Sequence, residues 1–363
     1  MSDQTPTPSR RDFLTGRAVL QQAEVAGGVL ADAIVDAGEH VPEPVGHDTI
    51  RLETRAMGCA WSVIMNPGPP RQVMAASDAL DLVHDLEGQM TVYRDDSELA
   101  RINFAAHESP QPVEEGLFDL LRQCRAWGEA TAWAFDPASG PLIALWKQCR
   151  DERRIPTADE IRETMNCVGI ERILFDDRER TIAFPHARFQ MDLGAVGKGY
   201  AIDRAADHLK QEGVNDFLVH GGHSSLLATG DHHGQGGWPV GLKNPLLTER
   251  RYATVLLADG GMSTSGSNIQ YFRQGGRRYG HILDPRTGWP AEGLLSVTVL
   301  APTAAEADAL STAFYVMGLE KAREYCHNRP QIGAILVPHP QRGTALEPVV
   351  MNIAEQSLFF VDQ

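Results

Sequence analysis

Residues 191–203, MDLGAVGKGYAID, combine the residue types that proteins use to bind phosphate groups. Three glycines and Lys198 stand between Asp192, where we expect a strand to end, and a run that is typical of a helix. Free backbone amides at the start of a helix bind anions, and a lysine strengthens such a site by its charge. The spacing G-x-x-G-x-G matches neither the dinucleotide-binding fingerprint nor the P-loop. From the residues alone, an anion site and a tight structural turn explain this segment equally well.

Residues 306–314, EADALSTAF, place three oxygen-bearing side chains on one face of a predicted helix. Asp308, Ser311 and Thr312 follow the i, i+3, i+4 spacing that brings side chains together on a helix surface. Carboxylate and hydroxyl oxygens suit a hard cation such as Mg²⁺. The alternative is an ordinary polar helix face that binds no metal.

A third cluster of reactive side chains lies in residues 279–293, YGHILDPRTGWPAEG. His281, Asp284, Arg286 and Thr287 fall close together, and the Asp-Pro and Thr-Gly pairs indicate turns. Taken alone, this pattern describes a loop with solvated charges.

The spacing of apolar residues predicts helices and strands in mixed order, without a regular βαβ rhythm or an internal repeat. The predicted helices span residues 71–90, 114–135, 200–213 and 303–318. The predicted strands include 216–222, 295–302 and 333–338, and two strands joined by a turn are expected within 179–193. We therefore expect an α+β fold with one principal domain over residues 49–363.

The composition argues against several classes of function. The chain has 363 residues, of which 42% are hydrophobic, so it is long enough to bury a large core. Its net charge of −15 argues against a nucleic-acid partner, which requires a positive surface. Since no run of roughly eighteen apolar residues occurs, we expect no integral membrane segment. The five cysteines are scattered and include no C-x-x-C pair, which disfavours a disulfide framework or a zinc site.

The first residues, 1–48, are rich in Pro, Asp, Glu and Ala and are expected to form a tail outside the main domain. Within this tail, residues 9–16, SRRDFLTG, resemble a twin-arginine export signal. The stretch that follows is interrupted by charged residues such as Arg17, Glu24 and Asp32, which an export signal does not tolerate well. We expect a cytoplasmic protein, with export to the periplasm or the membrane surface as the alternative.

Several motifs, taken together and in order, resemble the ApbE family of FAD:protein FMN transferases. Besides the three clusters, they are Met57-Gly58, Tyr93 with DSEL at 96–99, FDPASGPLIALW at 135–146, and the glycine pair at 221–222. The resemblance covers roughly residues 50–340. Two positions depart from the family pattern. His223 stands where many relatives carry Asp, and Ser311 stands where some relatives have a second metal-binding Asp.

The resemblance implies mixed and antiparallel sheets packed with helices, and a flavin site between two lobes. It implies FAD contacts at Met57, Tyr93, Ala134, Phe135, Asp136, Asp192, Lys198 and His281. It implies a Mg²⁺ site formed by the backbone carbonyl of Ala195 and the side chains of Asp308, Ser311 and Thr312. The glycine-rich turn and the polar helix face would then lie around one pyrophosphate.

The implied reaction is the Mg²⁺-dependent transfer of FMN from FAD to a threonine of an acceptor protein, with release of AMP. The catalytic residues would be Asp308 and His281, with His281 as the base or a phosphate contact and Asp284 orienting its ring. The implied acceptor is an electron-transfer flavoprotein subunit. Two alternatives keep the same site: an FAD pyrophosphatase that yields FMN and AMP, and a non-catalytic FAD-binding protein.

Overall fold

The computed structural model describes residues 48–266, 271–340 and 343–361. The predicted tail, including the twin-arginine-like segment at 9–16, lies outside the described residues apart from Asp48. Eight α-helices and sixteen strands are present in the described part of the chain, and the strand pairs there are antiparallel. The expected class, helices packed on antiparallel sheets, is confirmed.

The elements follow one another in a mixed order, as the sequence pattern predicted. The helices are α1 Arg71–Met90, α2 Glu98–Ala105, α3 Glu115–Ala130, α4 Gly140–Asp151, α5 Ala158–Met165, α6 Gly197–Gln211, α7 Ala304–Met317 and α8 Leu319–His327. The first strands are β1 Ile50–Ala56, β2 Cys59–Met65, β3 Gln111–Pro112, β4 Leu174–Asp176, β5 Thr181–Ala183, β6 Phe217–Gly221, β7 Ser225–Thr229 and β8 Trp238–Lys243. The later strands are β9 Arg251–Leu257, β10 Gly260–Gly266, β11 Tyr271–Gln274, β12 Arg277–Gly280, β13 Leu294–Ala301, β14 Gly333–Pro338, β15 Val349–Met351 and β16 Leu358–Phe360.

A central sheet of eight strands, in the order β1-β2-β6-β7-β10-β13-β14-β15, is covered on both faces. Side chains alternate along each strand, so Phe217 and Val219 face the helices while Leu218 faces the three-stranded sheet β16-β9-β8. Because both faces of the sheet are covered, all five residues of β6 are buried, and burial does not alternate along the strand.

Helices α6 and α7 pack against each other and against β7 and β10 of the central sheet. The start of α7 can lie this close to α6 and β10 because a glycine stands at each point of contact. A Cβ at Gly199 would overlap the backbone carbonyl of Ala304, and one at Gly261 would overlap the amide of the same residue. Thr303 begins α7, because its hydroxyl accepts a hydrogen bond from the amide of Glu306, and Gly318 (φ +78°) ends it.

Three predicted boundaries were wrong. Of the two strands expected within 179–193, only β5 forms, and residues 184–193 are irregular, so no strand ends at Asp192. The helix expected to begin at Tyr200 begins at Gly197. The helix expected to reach residue 135 ends at Ala130, because Ala132 and Trp133 take positive φ values of 50° and 61°.

Among the described residues, no helix combines the length and the apolar composition needed to cross a bilayer.

Replacing Gly199 with Ala is expected to lower the free energy of unfolding by about 1–3 kcal/mol, because the added methyl group would press on the backbone of α7. Gly197→Ala is the matched control, since its Cβ would meet Leu193 Cβ at an ordinary 3.7 Å. That variant should be as stable as the wild type or slightly more stable, because alanine favours the helix. Urea unfolding of both variants tests this, and equal stabilities would show that α6 and α7 do not need the glycine.

Candidate functional site

The carboxylate of Asp308 connects the glycine-rich segment to helix α7. Its Oδ2 atom accepts a 2.7 Å hydrogen bond from the backbone amide of Gly199, in the first turn of α6. Its Oδ1 atom accepts a 2.6 Å hydrogen bond from the hydroxyl of Ser225, at the start of β7. Asp308 is 4% exposed, so this negative charge is held inside the protein by two donors. Two of the three clusters found in the sequence therefore meet in one place.

A second carboxyl group connects the same two helices in the reverse sense, from α6 to the start of α7. Asp203 of α6 accepts hydrogen bonds from the amides of Ala304 (2.7 Å) and Ala305 (2.9 Å), which begin α7. Burial raises the pKa of Asp203 to about 7, the two amides lower it in part, and the charges of Asp207 and Asp308 raise it further. Each helix thus supplies the carboxylate that binds the free amides at the start of the other.

Hydroxyl groups from β10 surround the other polar residues of α7. Ser265 Oγ lies 2.8 Å from Ser311 Oγ and 3.3 Å from Thr312 Oγ1, and Ser263 Oγ lies 3.3 Å from Ser311 Oγ. Ser225, Ser263 and Ser265 were not predicted as site residues. The i, i+2 spacing in Ser263-Thr264-Ser265 was the available signal, because it puts the two serines on one face of a strand.

The donor set around Asp308 fits Mg²⁺. It consists of oxygen atoms, and Mg²⁺ is commonly held by one or two carboxylates together with substrate phosphates and water. The described residues contain no group of three or more His, Cys, Asp or Glu side chains that could hold a metal ion. A cation here would therefore need phosphate oxygens to complete its shell. Ala195, whose carbonyl is the fourth expected ligand, lies in the turn that leads into α6, four residues before Gly199.

Asp136 and Asp192, two expected flavin contacts, lie on neighbouring loops. The amide of Asp192 donates to the carbonyl of Pro137 (2.7 Å), and the amide of Gly140 donates to the carbonyl of Gln190 (3.2 Å). Asn103 holds the same segment, because its side-chain amide exchanges hydrogen bonds of 2.9 and 2.8 Å with the backbone of Met191. No sequence signal marked Asn103 for this role.

The carboxyl group of Asp136 holds its own loop together. Its Oδ1 atom accepts hydrogen bonds from the amides of Ala138 (2.8 Å) and Ile170 (3.1 Å), and the residue is 9% exposed. Burial raises the pKa of Asp136 to about 7, although the two amides lower it in part. Ala134 and Phe135, the two residues before it, are buried in the main core. Their side chains therefore attach the loop to the core of the protein.

Met57 lies in the turn between β1 and β2. Met57 takes a positive φ of 49°, and its amide donates to Glu87 of α1 at 2.7 Å. Cys59 follows in β2, where burial raises the pKa of its thiol and the positive charge of Lys198 partly opposes that rise. Lys198, in the first turn of α6, thus acts electrostatically on the turn between β1 and β2.

Tyr93 and His281 are exposed and lie on separate loops. Tyr93 is 82% exposed, and the ammonium group of Lys147 in α4 lies 5.6 Å from its ring centre. Tyr93 makes none of the contacts described above around Asp308. His281 directly follows β12. Both oxygens of Asp284, its expected orienting partner, accept 2.8 Å hydrogen bonds from the Arg286 guanidinium.

The loop that carries His281 is anchored to α4. The indole N–H of Trp146 donates to the carbonyl of Gly288 at 2.8 Å, and the ring packs against Trp289 at a centroid distance of 5.6 Å. Gly288 has a φ of +80°, and a Cβ at this position would press on Ile161 of α5.

Known proteins resemble this chain over most of its length. The model of the ApbE family matches residues 57–336, a range that contains the site residues from Met57 to Thr312.

The chain belongs to the ApbE family.

Relatives in the ApbE family include proteins named FAD:protein FMN transferase. The protein from Klebsiella pneumoniae (strain 342) is 33% identical over 264 residues, covering 72% of this chain and 81% of its own. The protein from Escherichia coli (strain K12) is 32% identical over 308 residues, covering 82% of this chain and 87% of its own.

Solved structures of ApbE proteins share the fold. The ApbE protein of Thermotoga maritima superposes with a TM-score of 0.74 at 30% identity, over 82% of this chain and 96% of that one. The flavin transferase ApbE of Vibrio cholerae superposes with a TM-score of 0.74 at 26% identity, over 84% of this chain and 97% of that one.

The raised pKa of Asp136 predicts how the stability of this ApbE-family chain depends on pH. The folded protein keeps a proton on Asp136 up to about pH 7, whereas the unfolded chain releases it near the ordinary pKa of aspartate, 3.8. The folded state therefore binds more protons between these values, and the stability that Asp136 contributes falls as the pH rises through this window. In Asp136→Asn this slope should be smaller by up to about 1.4 kcal/mol per pH unit. Urea unfolding at several pH values measures the slope, and parallel profiles for both proteins would contradict it.

Proposed function

We propose that this flavin transferase cleaves FAD between its two phosphates and attaches FMN to a threonine of an acceptor protein. The threonine Oγ forms a bond to the phosphorus of the FMN half, and the bond from that phosphorus to the bridging oxygen breaks. AMP leaves with the bridging oxygen, and the hydroxyl proton passes to a base. We further propose that residues 49–363 form the catalytic unit and that its flavin site lies between two lobes.

The contact between Asp308 and the amide of Gly199 carries this proposal. It brings a glycine-rich helix start, which binds anions, to a buried carboxylate surrounded by hydroxyls, which suits a cation. A pyrophosphate with a bound divalent cation needs both an anion site and a cation site. Ala195, Asp308, Ser311 and Thr312 would hold Mg²⁺, which supplies charge neutralisation at the phosphate oxygens.

The other residues of the site act on FAD and on the acceptor. Lys198 would neutralise a phosphate oxygen, because it lies in the first turn of α6, where free backbone amides also favour an anion. Phosphoryl transfer depends mainly on such neutralisation and on in-line positioning. His281 would accept the proton of the threonine hydroxyl, since imidazole titrates near neutral pH. Met57, Tyr93, Asp192 and the segment 134–136 would contact the flavin nucleotide.

The partner is an acceptor protein with a target threonine, of the electron-transfer flavoprotein type. The names of the relatives support a protein acceptor, because they describe transfer of FMN from FAD to protein. The cytoplasm remains the proposed location, with twin-arginine export as the alternative.

Mass spectrometry of an acceptor tests the reaction. The protein is incubated with FAD, Mg²⁺ and an acceptor subunit that contains a threonine, with and without EDTA. We expect the acceptor to gain the mass of one FMN unit only when Mg²⁺ is available, and AMP to appear in equal amount. Free FMN and AMP without a labelled acceptor would establish the pyrophosphatase instead. FAD that stays intact with every acceptor tried would favour the binding protein.

Replacing Asp308 with Asn should lower the transfer rate by roughly two orders of magnitude or more, because the site loses its only expected carboxylate ligand. The amide oxygen of Asn can still accept the Gly199 hydrogen bond, so the fold should persist. Asp207→Asn, an exposed position on α6, is the control and should keep full activity. FAD binding without metal, followed by flavin fluorescence, should survive in both variants. Full transfer by Asp308→Asn would exclude the proposed metal site.

A further inference from the structure

Ser225 and Gly199 hold the two oxygens of the Asp308 carboxyl group from opposite elements. The Ser225 hydroxyl, in β7, donates to Oδ1 at 2.6 Å, and the Gly199 amide, in α6, donates to Oδ2 at 2.7 Å. Both distances are short for hydrogen bonds of their kind, as is usual when the acceptor is ionised. A rotation of the carboxyl group would lengthen both bonds, so the two donors together fix its orientation.

The Ser225 hydroxyl has a fixed position because its strand is held on both sides. Ser225 is the first residue of β7, where it lies opposite Gly221 of β6 and opposite Ser263 of β10. The residue is 1% exposed. A side chain packed inside a sheet in this way has little freedom to move. The hydroxyl is therefore presented to Asp308 by the sheet rather than by a mobile loop.

The turn that precedes Ser225 is also held in place. The amide of Gly222 donates to the carbonyl of Ala60 in β2 at 2.8 Å, and a Cβ at Gly222 would lie 3.0 Å from the Cys59 sulfur. His223, the next residue, takes a positive φ of 61°. A residue other than glycine keeps such a conformation only where its surroundings impose it. The start of β7 is thus positioned by the turn between β1 and β2.

A buried serine of this kind can serve the fold alone, or it can prepare a carboxylate for a ligand. Thr298 and Thr264 are an example of the first role, because their hydroxyl oxygens lie 2.8 Å apart within the central sheet. Ser225 differs from them in its partner. It binds Asp308, the carboxylate of the proposed cation site.

We propose that Ser225 is a positioning residue of the metal site, which fixes the orientation in which the Asp308 carboxylate meets a divalent cation. This inference rests on the proposed function, because that function assigns Asp308 to the metal. Carboxylates that bind metals are usually held by further hydrogen bonds, and loss of such a partner weakens metal binding roughly 10–100-fold. Ser225 acts on the reaction through Asp308, so FAD without metal should bind equally well when the hydroxyl is removed.

Direct measurement of metal binding tests this role without turnover. The probe is Mn²⁺, which takes octahedral oxygen ligands as Mg²⁺ does. It is titrated into the full chain with an equal amount of FAD and no acceptor, and electron paramagnetic resonance measures the free Mn²⁺. FAD without protein is the blank. In Ser225→Ala the dissociation constant for Mn²⁺ should rise about tenfold or more.

Two further variants separate the positioning role from a loss of packing. Ser225→Cys keeps the size of the side chain but donates only weakly, so its dissociation constant should lie between those of the wild type and Ser225→Ala. Thr298→Val removes a buried hydroxyl of nearly the same burial from the central sheet, and it should bind Mn²⁺ as the wild type does. Urea unfolding should show a loss of stability in Thr298→Val as well as in Ser225→Ala.

The same variants give a second measurement in the flavinylation assay. The Mg²⁺ concentration that gives half-maximal transfer should rise in Ser225→Ala by the same factor as the Mn²⁺ dissociation constant, and FAD binding in EDTA should not change. A role in folding alone would not move the Mg²⁺ requirement.

Unchanged Mn²⁺ binding in Ser225→Ala or in Ser225→Cys would overturn the inference. An equal loss of Mn²⁺ binding in Ser225→Ala and Thr298→Val would overturn it as well, because a general loosening of the sheet would then explain the effect. Both results leave the transferase reaction standing. A wild type that binds no more Mn²⁺ than the FAD blank would instead contradict the proposed metal site, and the role of Ser225 with it.

Discussion

The exchange of carboxylates between α6 and α7 is the interaction on which the rest of the site depends. Asp308 binds the start of α6, and Asp203 binds the start of α7. A buried carboxylate is costly unless donors satisfy it, and the free amides of a helix start are donors that otherwise need partners. Each helix therefore supplies a carboxyl group that satisfies the free amides of the other. The two helix starts are held close to one another as a result.

The close packing of the backbones makes this exchange possible. Gly199 and Gly261 leave room for Ala304, so α7 lies against both α6 and β10. The serines of β10 consequently reach the polar face of α7, and Ser225 reaches Asp308 from β7. The central sheet, buried on both faces, gives these residues a rigid support.

The sequence predicted those parts of the site that lie within one element, and it missed those that depend on contacts between elements. Asp308, Ser311 and Thr312 share a helix face, and their spacing alone predicted that they would lie together. Ser225 and Asn103 act on residues 83 and 88 positions away, and no local pattern marks such pairs.

The predicted strand within 179–193 failed for a related reason. Its backbone groups are bound by the Asn103 side chain and by the loop at Pro137 rather than by a neighbouring strand. An apolar run indicates burial, but it does not say which partner satisfies the backbone.

Trp146 joins parts of the protein that are far apart in the sequence. Its helix, α4, begins at Gly140, which is hydrogen-bonded to the segment before Asp192, and its indole binds the loop that carries His281. The same ring supports the hairpin β11–β12. The segment before Asp192, the loop that carries His281 and the hairpin are thus all joined to one helix. Any shift of α4 would therefore be transmitted to all three segments, although they are far apart in the sequence.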